Sequence, residues 1–250
     1  MSTSAVIIED RDGVRHLVLN RPEKKNALTT EMYAALADAV TSAEADGIGA
    51  LLIRANGGTF TAGNDLKDFL ANPPAGDGSP VFRFMEAFAS TDVPVVAAVR
   101  GAAIGIGLTL LLHCDVVLAA PDAKLRVPFL DLGVVPENAS SLLLPRIMGR
   151  ARAGAMLYLA ETLDAQSARA DGIVSQIVDD ADLDAAAETA ARAIAAKPRE
   201  AVRATKRLLA HDRSEIIAAI RREGKIFGER LASDEARSVM AAFFSGAARG

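Results

Sequence analysis

Three segments of this chain collect residue types that could bind and react. The first is Thr59-Phe60-Thr61-Ala62-Gly63-Asn64-Asp65-Leu66, which follows an apolar strand pattern and precedes a helical one. Small residues at such a turn let a ligand approach the backbone, and exposed amides there can donate to an anion. An ordinary strand-to-helix turn would have the same composition. The second is Gly101-Ala102-Ala103-Ile104-Gly105-Ile106-Gly107-Leu108-Thr109. It matches a dinucleotide-binding fingerprint only superficially, because the third glycine is missing and no acidic residue follows at the usual distance. Its glycines serve either close helix–sheet packing or an anion-binding turn. The third, residues 127–141, places two prolines, a glycine and the carboxylates Asp131 and Glu137 before an apolar helix. Asn138 or Ser140 could cap that helix. Glu137 reads either as an acid–base group or as a first-turn glutamate favoured by the helix dipole.

Other constellations are weaker. His16, His113 and His211 are scattered, and His113-Cys114-Asp115 has no metal-ligand partner at a recognised spacing, so no metal is expected. That triplet reads as a helix end entering a core strand. There is no nucleophile elbow and no phosphate-binding loop. Arg203, Lys206 and Arg207 read as a solvated basic face. With 28 basic and 32 acidic side chains the formal charge is −4, which gives no electrostatic case for nucleic acid or an anionic membrane surface. The longest apolar run, residues 101–112, is too short to span a bilayer. Cys114 is the single cysteine, so no internal disulfide can form. Residues 1–5 lack the basic start and apolar run of a secretion signal, and Ala248-Arg249-Gly250 is not the common peroxisomal tripeptide. A soluble, cytoplasmic protein is expected.

The elements that would position these segments follow from periodicity. Residues 6–8 and 14–19 flank Asp12-Gly13 and read as a β-hairpin. Thr29 or Thr30 could cap a helix running to about residue 45. Residues 50–53, 93–99 and 116–119 read as buried strands, with a turn and helix over 101–113. Such alternation predicts an α/β core with largely parallel strands. Residues 72–78 form a Gly/Pro loop, and 79–90, with Phe82, Phe84, Met85 and Phe88, read either as a lid or as an amphipathic helix. Beyond residue 140 the pattern is helical, over 181–196, 199–210 and 214–231, apart from a short strand at 173–178. Residues 1–195 are expected as the α/β core and 196–250 as a helical C-terminal region.

Taken together these motifs resemble the enoyl-CoA hydratase/isomerase family, the crotonases, over nearly the whole chain. The resemblance begins at Asn20-Arg21-Pro22-Glu23-Lys24-Lys25-Asn26-Ala27-Leu28 and continues through residues 60–66 and the Gly105 turn to Cys114-Asp115. It ends on Phe227 and Ser233-Asp234-Glu235-Ala236. It implies the ClpP/crotonase fold of stacked ββα units, with C-terminal helices assembling a trimer or a hexamer. It also implies an acyl-CoA thioester as substrate, with no separate cofactor. The thioester carbonyl would lie between two backbone amides, placed by the motifs on Ala62 and Ile106, where relatives mostly carry glycine at the second position. The nucleotide end would lie near Lys24, Lys25 and Ala27, with Asp65, Leu66, Phe129 and Asp131 also in the binding site.

Within that family, hydration relies on two glutamates, and their positions correspond here to Thr109 and Phe129, neither of which is an acid or base. Isomerisation needs one base. Pro136-Glu137-Asn138-Ala139-Ser140-Ser141 resembles the Pro-Glu-Gly-Cys-Ser-Ser stretch of the peroxisomal-type Δ3,Δ2-enoyl-CoA isomerases, and Gly105-Ile106-Gly107-Leu108-Thr109-Leu110-Leu111 matches their glycine turn. The resemblance thus implies Glu137 as the catalytic base, with Asp131 in reserve and Asn138 as the departure. Hydration, thioester hydrolysis or decarboxylation remain alternatives, as does acyl-CoA binding without turnover.

Overall fold

A computed structural model describes residues 4–245 except Ala75, Asp77 and His211, with side chains up to residue 242. The tripeptide at 248–250, the start of the N-terminal segment, part of the 72–78 loop and one of the three histidines therefore lie outside the described residues.

The chain opens with the expected hairpin. β1 (Val6–Arg11) and β2 (Val14–Leu19) pair antiparallel across Asp12-Gly13. Both turn residues have positive φ, 50° and 76°, the left-handed geometry a two-residue hairpin turn requires. α1 (Thr30–Ser42) starts where the Thr29 hydroxyl accepts the Met32 amide at 3.3 Å. β3 (Ala50–Ala55), α2 (Leu66–Ala71), α3 (Pro80–Ser90) and β4 (Val95–Val99) follow. Residues 101–113, expected as a turn and helix, first form a short strand, β5 (Ala102–Ile104). Only then come α4 (Ile106–Thr109) and a 3-10 turn (Leu110–His113). Three residues of strand among glycines and alanines leave no period-2 signal.

β6 (Val116–Ala119) and β7 (Lys124–Arg126) precede α5 (Ser140–Met148), α6 (Arg150–Leu159), β8 (Leu163–Asp164) and α7 (Ala165–Ala170). The strand expected over 173–178 shrinks to β9 (Gln176–Ile177), because the Ile173 and Val174 amides turn back to the Ala168 carbonyl. α8 (Asp180–Ala195), α9 (Arg199–Leu209), α10 (Arg213–Leu231) and α11 (Asp234–Ser245) complete the chain.

Among the described residues the main sheet has the order β1-β2-β3-β4-β6-β9, parallel after the first pair. A second sheet, β5-β7-β8, is prolonged by single bridges between Thr61 and Ala103 and between Leu28 and Asn64. Successive residues of the central strands face opposite sides. Leu51, Ile53, Val95 and Ala97 join Met32 and Leu36 of α1 and Phe84 and Phe88 of α3. Leu52, Val96, Ala98 and Leu118 face Leu183, Ala187 and Ala191 of α8. Strands covered on both faces read as continuous apolar runs, which is why they were legible.

The boundary expected at residue 195 falls in the α8–α9 turn, and the core runs across it. Ile216, Ile220, Phe227 and Met240 pack in the same cluster as the strands. Arg203, Lys206 and Arg207 are not a solvated face; they dock α9. Buried Lys206 donates to Asp115 at 2.8 Å and to the Val93 carbonyl at 2.9 Å, while Arg203 pairs with Glu44 and Arg207 with Asp92. Long stems reach carboxylates on distant elements, which helical spacing alone does not reveal. α3 is a buried amphipathic helix. Its Phe82 lies over Gly224 of α10, where an added Cβ would stand 2.2 Å from the ring.

Candidate active site

A cavity of about 680 Å³ joins the three segments, with Asn64, Ile106, Phe129, Glu137, Phe227 and Met240 among its walls. The first wall is held by an upstream loop. A 3-10 turn (Pro22–Lys24) leads into Lys25 and Asn26, both left-handed with φ near 51° and 52°. The buried Asn26 side-chain amide donates to the carbonyls of Asn56 and Thr59 at 2.9 and 2.8 Å, and the Asn26 main-chain carbonyl accepts the Thr61 hydroxyl at 2.7 Å. Leu28 N–H donates to the Gly63 carbonyl and Asp65 N–H to the Leu28 carbonyl, each at 2.8 Å.

These bonds decide which amides remain free. Ala62 N–H, expected to face the thioester, donates to the Lys25 carbonyl at 2.9 Å, and Gly63 N–H goes to the Thr61 hydroxyl at 3.1 Å. The Asn64 amide has no acceptor among the described residues. Gly63 makes the turn possible. Its φ is 92°, and a Cβ there would lie 2.9 Å from the Ile104 carbonyl oxygen. The Asn64 side chain is fixed by a hydrogen bond from the buried Tyr33 hydroxyl.

The second wall is the turn from β5 into α4. Gly105 has φ 56°, and its amide donates to the Arg126 carbonyl at 2.8 Å. Ile106, first residue of α4, leaves its amide without an acceptor among the described residues while its side chain is buried in the core. Gly107 lets α4 approach the first wall, since a Cβ would stand 2.4 Å from Thr61 Cγ2. Two free amides, Asn64 and Ile106, thus meet at one cavity.

The third wall carries Glu137. It lies three residues before α5, not in its first turn, and neither Asn138 nor Ser140 caps that helix. Asn138 and Ala139 both adopt φ 58°, and the Ser140 hydroxyl donates back to the Glu137 carbonyl at 2.6 Å. Asparagine is among the non-glycine residues that best tolerate this conformation, which accounts for Asn138 where similar stretches carry glycine. The Glu137 side chain is 4% exposed, and its Oε1 is buried with no partner among the described residues. Burial, helped by the charge of Glu223, pushes its carboxyl from 4.5 up to about 8.

The remaining expected residues divide. Leu66 and Phe129 line the cavity. Asp131 is at its rim, paired with Arg126 at 2.7 Å and half exposed. Asp65 is withdrawn from it, because it pairs with Arg21 at 2.7 Å and caps α2 through the amides of Lys67 and Asp68. Those bonds hold its carboxyl below the usual carboxylate range against the opposing effect of burial, which is the largest single influence. Lys24, Lys25 and Ala27 are not in the cavity wall; the two lysines are exposed on the loop behind the Lys25–Ala62 bond. Thr109, the last residue of α4, is fully buried. Sequence reasoning missed Glu223, a buried carboxyl on α10 that accepts the Ser141 amide at 3.0 Å. One signal was available: the inward stripe Ile216, Ile220, Glu223, Phe227 and Leu231 is apolar at helical spacing except for a single acid. No cluster of His, Cys, Asp and Glu among the described residues could hold a metal ion.

A family model described as enoyl-CoA hydratase/isomerase matches residues 9–246. Human enoyl-CoA delta isomerase 2 is 33% identical over 248 residues, which cover 96% of this chain and 63% of that protein, so the chain spans less than two thirds of that relative. The 1,2-epoxyphenylacetyl-CoA isomerase of Escherichia coli (strain K12) is 41% identical over 194 residues, 74% of either chain. Hydratases are also named among the matches. The crystal structure of an enoyl-CoA hydratase/isomerase from Pseudoalteromonas atlantica T6c aligns with a TM-score of 0.91 and 43% identity, covering 97% of this chain and 98% of that one. The hairpin-led parallel sheet, the two free amides and the extent of these matches lead to one conclusion: the chain belongs to the enoyl-CoA hydratase/isomerase family and has the α/β crotonase fold.

Proposed function

We propose that this protein is a Δ3,Δ2-enoyl-CoA isomerase acting on an acyl-CoA thioester in fatty-acid metabolism, with no cofactor beyond the substrate. The observation that carries the reading is the inventory of acids in the cavity. Its wall holds two carboxyls, and Asp131 is tied to Arg126, so Glu137 is the one without a partner. Thr109 and Phe129 occupy the places where a hydrating enzyme would carry its glutamates.

The chemistry then runs through three groups. The thioester oxygen accepts the Asn64 and Ile106 amides, with Asn64 taking the role first expected of Ala62. Donors aimed at a developing oxyanion are worth about 3 kcal/mol each. Ionised Glu137 removes a proton from C2 of the 3-enoyl thioester, and the C3–C4 double bond shifts as the dienolate forms. The same carboxyl returns the proton at C4, leaving the 2-enoyl product. A carboxyl lifted to about 8 is a stronger base toward carbon than an ordinary one, and it is ionised only as pH rises through that value. The apolar wall of the cavity beside Glu137, with Phe69, Phe129, Phe227 and Met240, suits the acyl chain beyond the reacting carbons. Lys24 and Lys25, exposed beside the cavity-forming loop, suit the phosphates of the nucleotide end.

Trimeric or hexameric assembly and a cytoplasmic setting belong to the same reading. Leu208 and Leu209 on α9 and Tyr158 and Leu159 on α6 are 71–86% exposed, and these are the surfaces we assign to subunit contact. The test is to incubate the purified protein with trans-3-hexenoyl-CoA and, separately, trans-2-hexenoyl-CoA and to identify the products. Conversion of the first to its 2-enoyl isomer, lost in Glu137→Gln, is the expected result. Hydration of the second, or no reaction with either, overturns the reading.

A further inference from the structure

Glu223 is not a cavity-wall residue, yet it is 5% exposed on α10. One of its oxygens accepts both the amide and the hydroxyl of Ser141. The other is buried without a partner among the described residues. Placing a carboxyl there costs hydration that the two bonds from Ser141 only partly offset. A residue so costly to bury, bonded to Ser141 at a helix start four positions past Glu137, calls for a role connected with Glu137.

The connection is short and covalent. Ser141 follows Glu137 through Asn138 and Ala139, both left-handed, and Ser140, whose hydroxyl holds the Glu137 carbonyl. Fixing Ser141 from α10 therefore fixes the far end of the turn that aims Glu137. The two carboxyls also feel each other's charge. Other groups around them are Tyr33 from α1, which feels the Glu137 charge, and His113, bonded to the Asn138 carbonyl at 3.0 Å. Burial raises the Glu223 carboxyl above its ordinary range, against the Ser141 donors, the Ala139 amide and Arg222 beside it on α10, which favour its ionised form.

We propose that Glu223 is a positioning residue for Glu137, holding the Ser141 end of the turn with one oxygen and setting a fixed negative charge behind the base. The inference rests on the assignment of Glu137 as that base. Glu223 ionises first, because the Ser141 donors stabilise its anion, whereas Glu137 Oε1 has none. Glu137 then gains from taking up a proton, which is what abstraction from carbon requires.

The experiment follows the Glu137 carboxyl directly by ¹³C NMR of carboxyl-labelled glutamate between pH 4 and 10, its signal identified by its loss in Glu137→Gln. In Glu223→Gln, which keeps an acceptor for Ser141 but no charge, the Glu137 midpoint falls by roughly one pH unit. The acidic limb of kcat/KM with trans-3-hexenoyl-CoA moves by the same amount, with KM little changed. An unmoved midpoint overturns the proposal. Because the titration uses no substrate, it stands even if the thioester is not isomerised, so failure of the isomerase reading is separately visible. If Glu223→Gln does not fold, Ser141→Ala serves instead. It keeps the Ser141 amide as a donor to the Glu223 carboxylate and loosens the clamp by one bond, so kcat drops roughly tenfold while the Glu137 midpoint stays as high as before. An unchanged kcat or a lowered midpoint there overturns the proposal.

Discussion

Glu137→Gln should abolish activity and stabilise the protein, and the second effect carries the more quantitative test. In the fold the Glu137 carboxyl is raised from 4.5 to about 8, first by burial and then by the charge of Glu223. The native state therefore keeps a proton that the unfolded chain releases near pH 4.5. The associated stability is fully present below that pH and is lost as pH rises through 8, where the fold must host the ion. At about 1.4 kcal/mol per pKa unit the difference amounts to roughly 5 kcal/mol as an upper bound. Glu223 shares part of the repulsion, which brings the expected figure to roughly 2–4 kcal/mol. Glutamine has nearly the same shape and does not ionise, so its amide adds only an offset independent of pH. Urea unfolding followed by circular dichroism suits a chain without tryptophan. Between pH 5 and 9 the variant should gain on the wild type by that amount. Stability curves that stay parallel across this range would show that Glu137 is not desolvated as described.

Three further outcomes are expected. Lys206→Met removes the buried ammonium's bonds to the solvent-exposed Asp115 and to the Val93 carbonyl and should cost about 1–3 kcal/mol in denaturant unfolding, more than loss of a solvated lysine. Gly107→Ala drives a Cβ to 2.4 Å from Thr61 Cγ2, displacing Ile106 from Asn64, and should lower kcat about 10- to 100-fold with a small change in KM on trans-3-hexenoyl-CoA. Leu208→Asp with Leu209→Asp should reduce the assembly to monomers in light scattering, whereas an unchanged mass would place the subunit contact elsewhere.

What could be read in the chain and what could not follow from the range of the interactions. The hairpin, α1 and the buried strands are written in local signals: Asp12-Gly13, the Thr29 cap and apolar runs. Glu137 and the glycine turns were visible as motifs because their neighbours in sequence are their neighbours in space. The choice between the Ala62 and Asn64 amides was not visible, because it depends on whose carbonyl stands opposite, and that is Lys25. The partner of Asp65 is likewise invisible locally, because Arg21 lies 44 positions earlier. Glu223 and Ser141 are 82 positions apart, so only the packing of α10 against α5 unites them. The short strands β5, β8 and β9 owe their conformation to the sheets they complete rather than to their own residues.

The bonds between residues 25–28 and 59–65 make a zipper: Asn26 to Thr59 and Thr61, Lys25 to Ala62, Leu28 to Gly63 and Asp65. Each is worth about 1 kcal/mol, and together they join an exposed lysine loop and an oxyanion donor into one stiff lever. Under the proposed function, a nucleotide held at Lys24 or Lys25 loads the same backbone that presents the Asn64 amide, two residues past Ala62. In that reading the handle of the substrate and its reacting carbon are read by a single piece of backbone. Acyl pantetheines, which lack the nucleotide, should then lose turnover as well as affinity, since the lever would go unloaded.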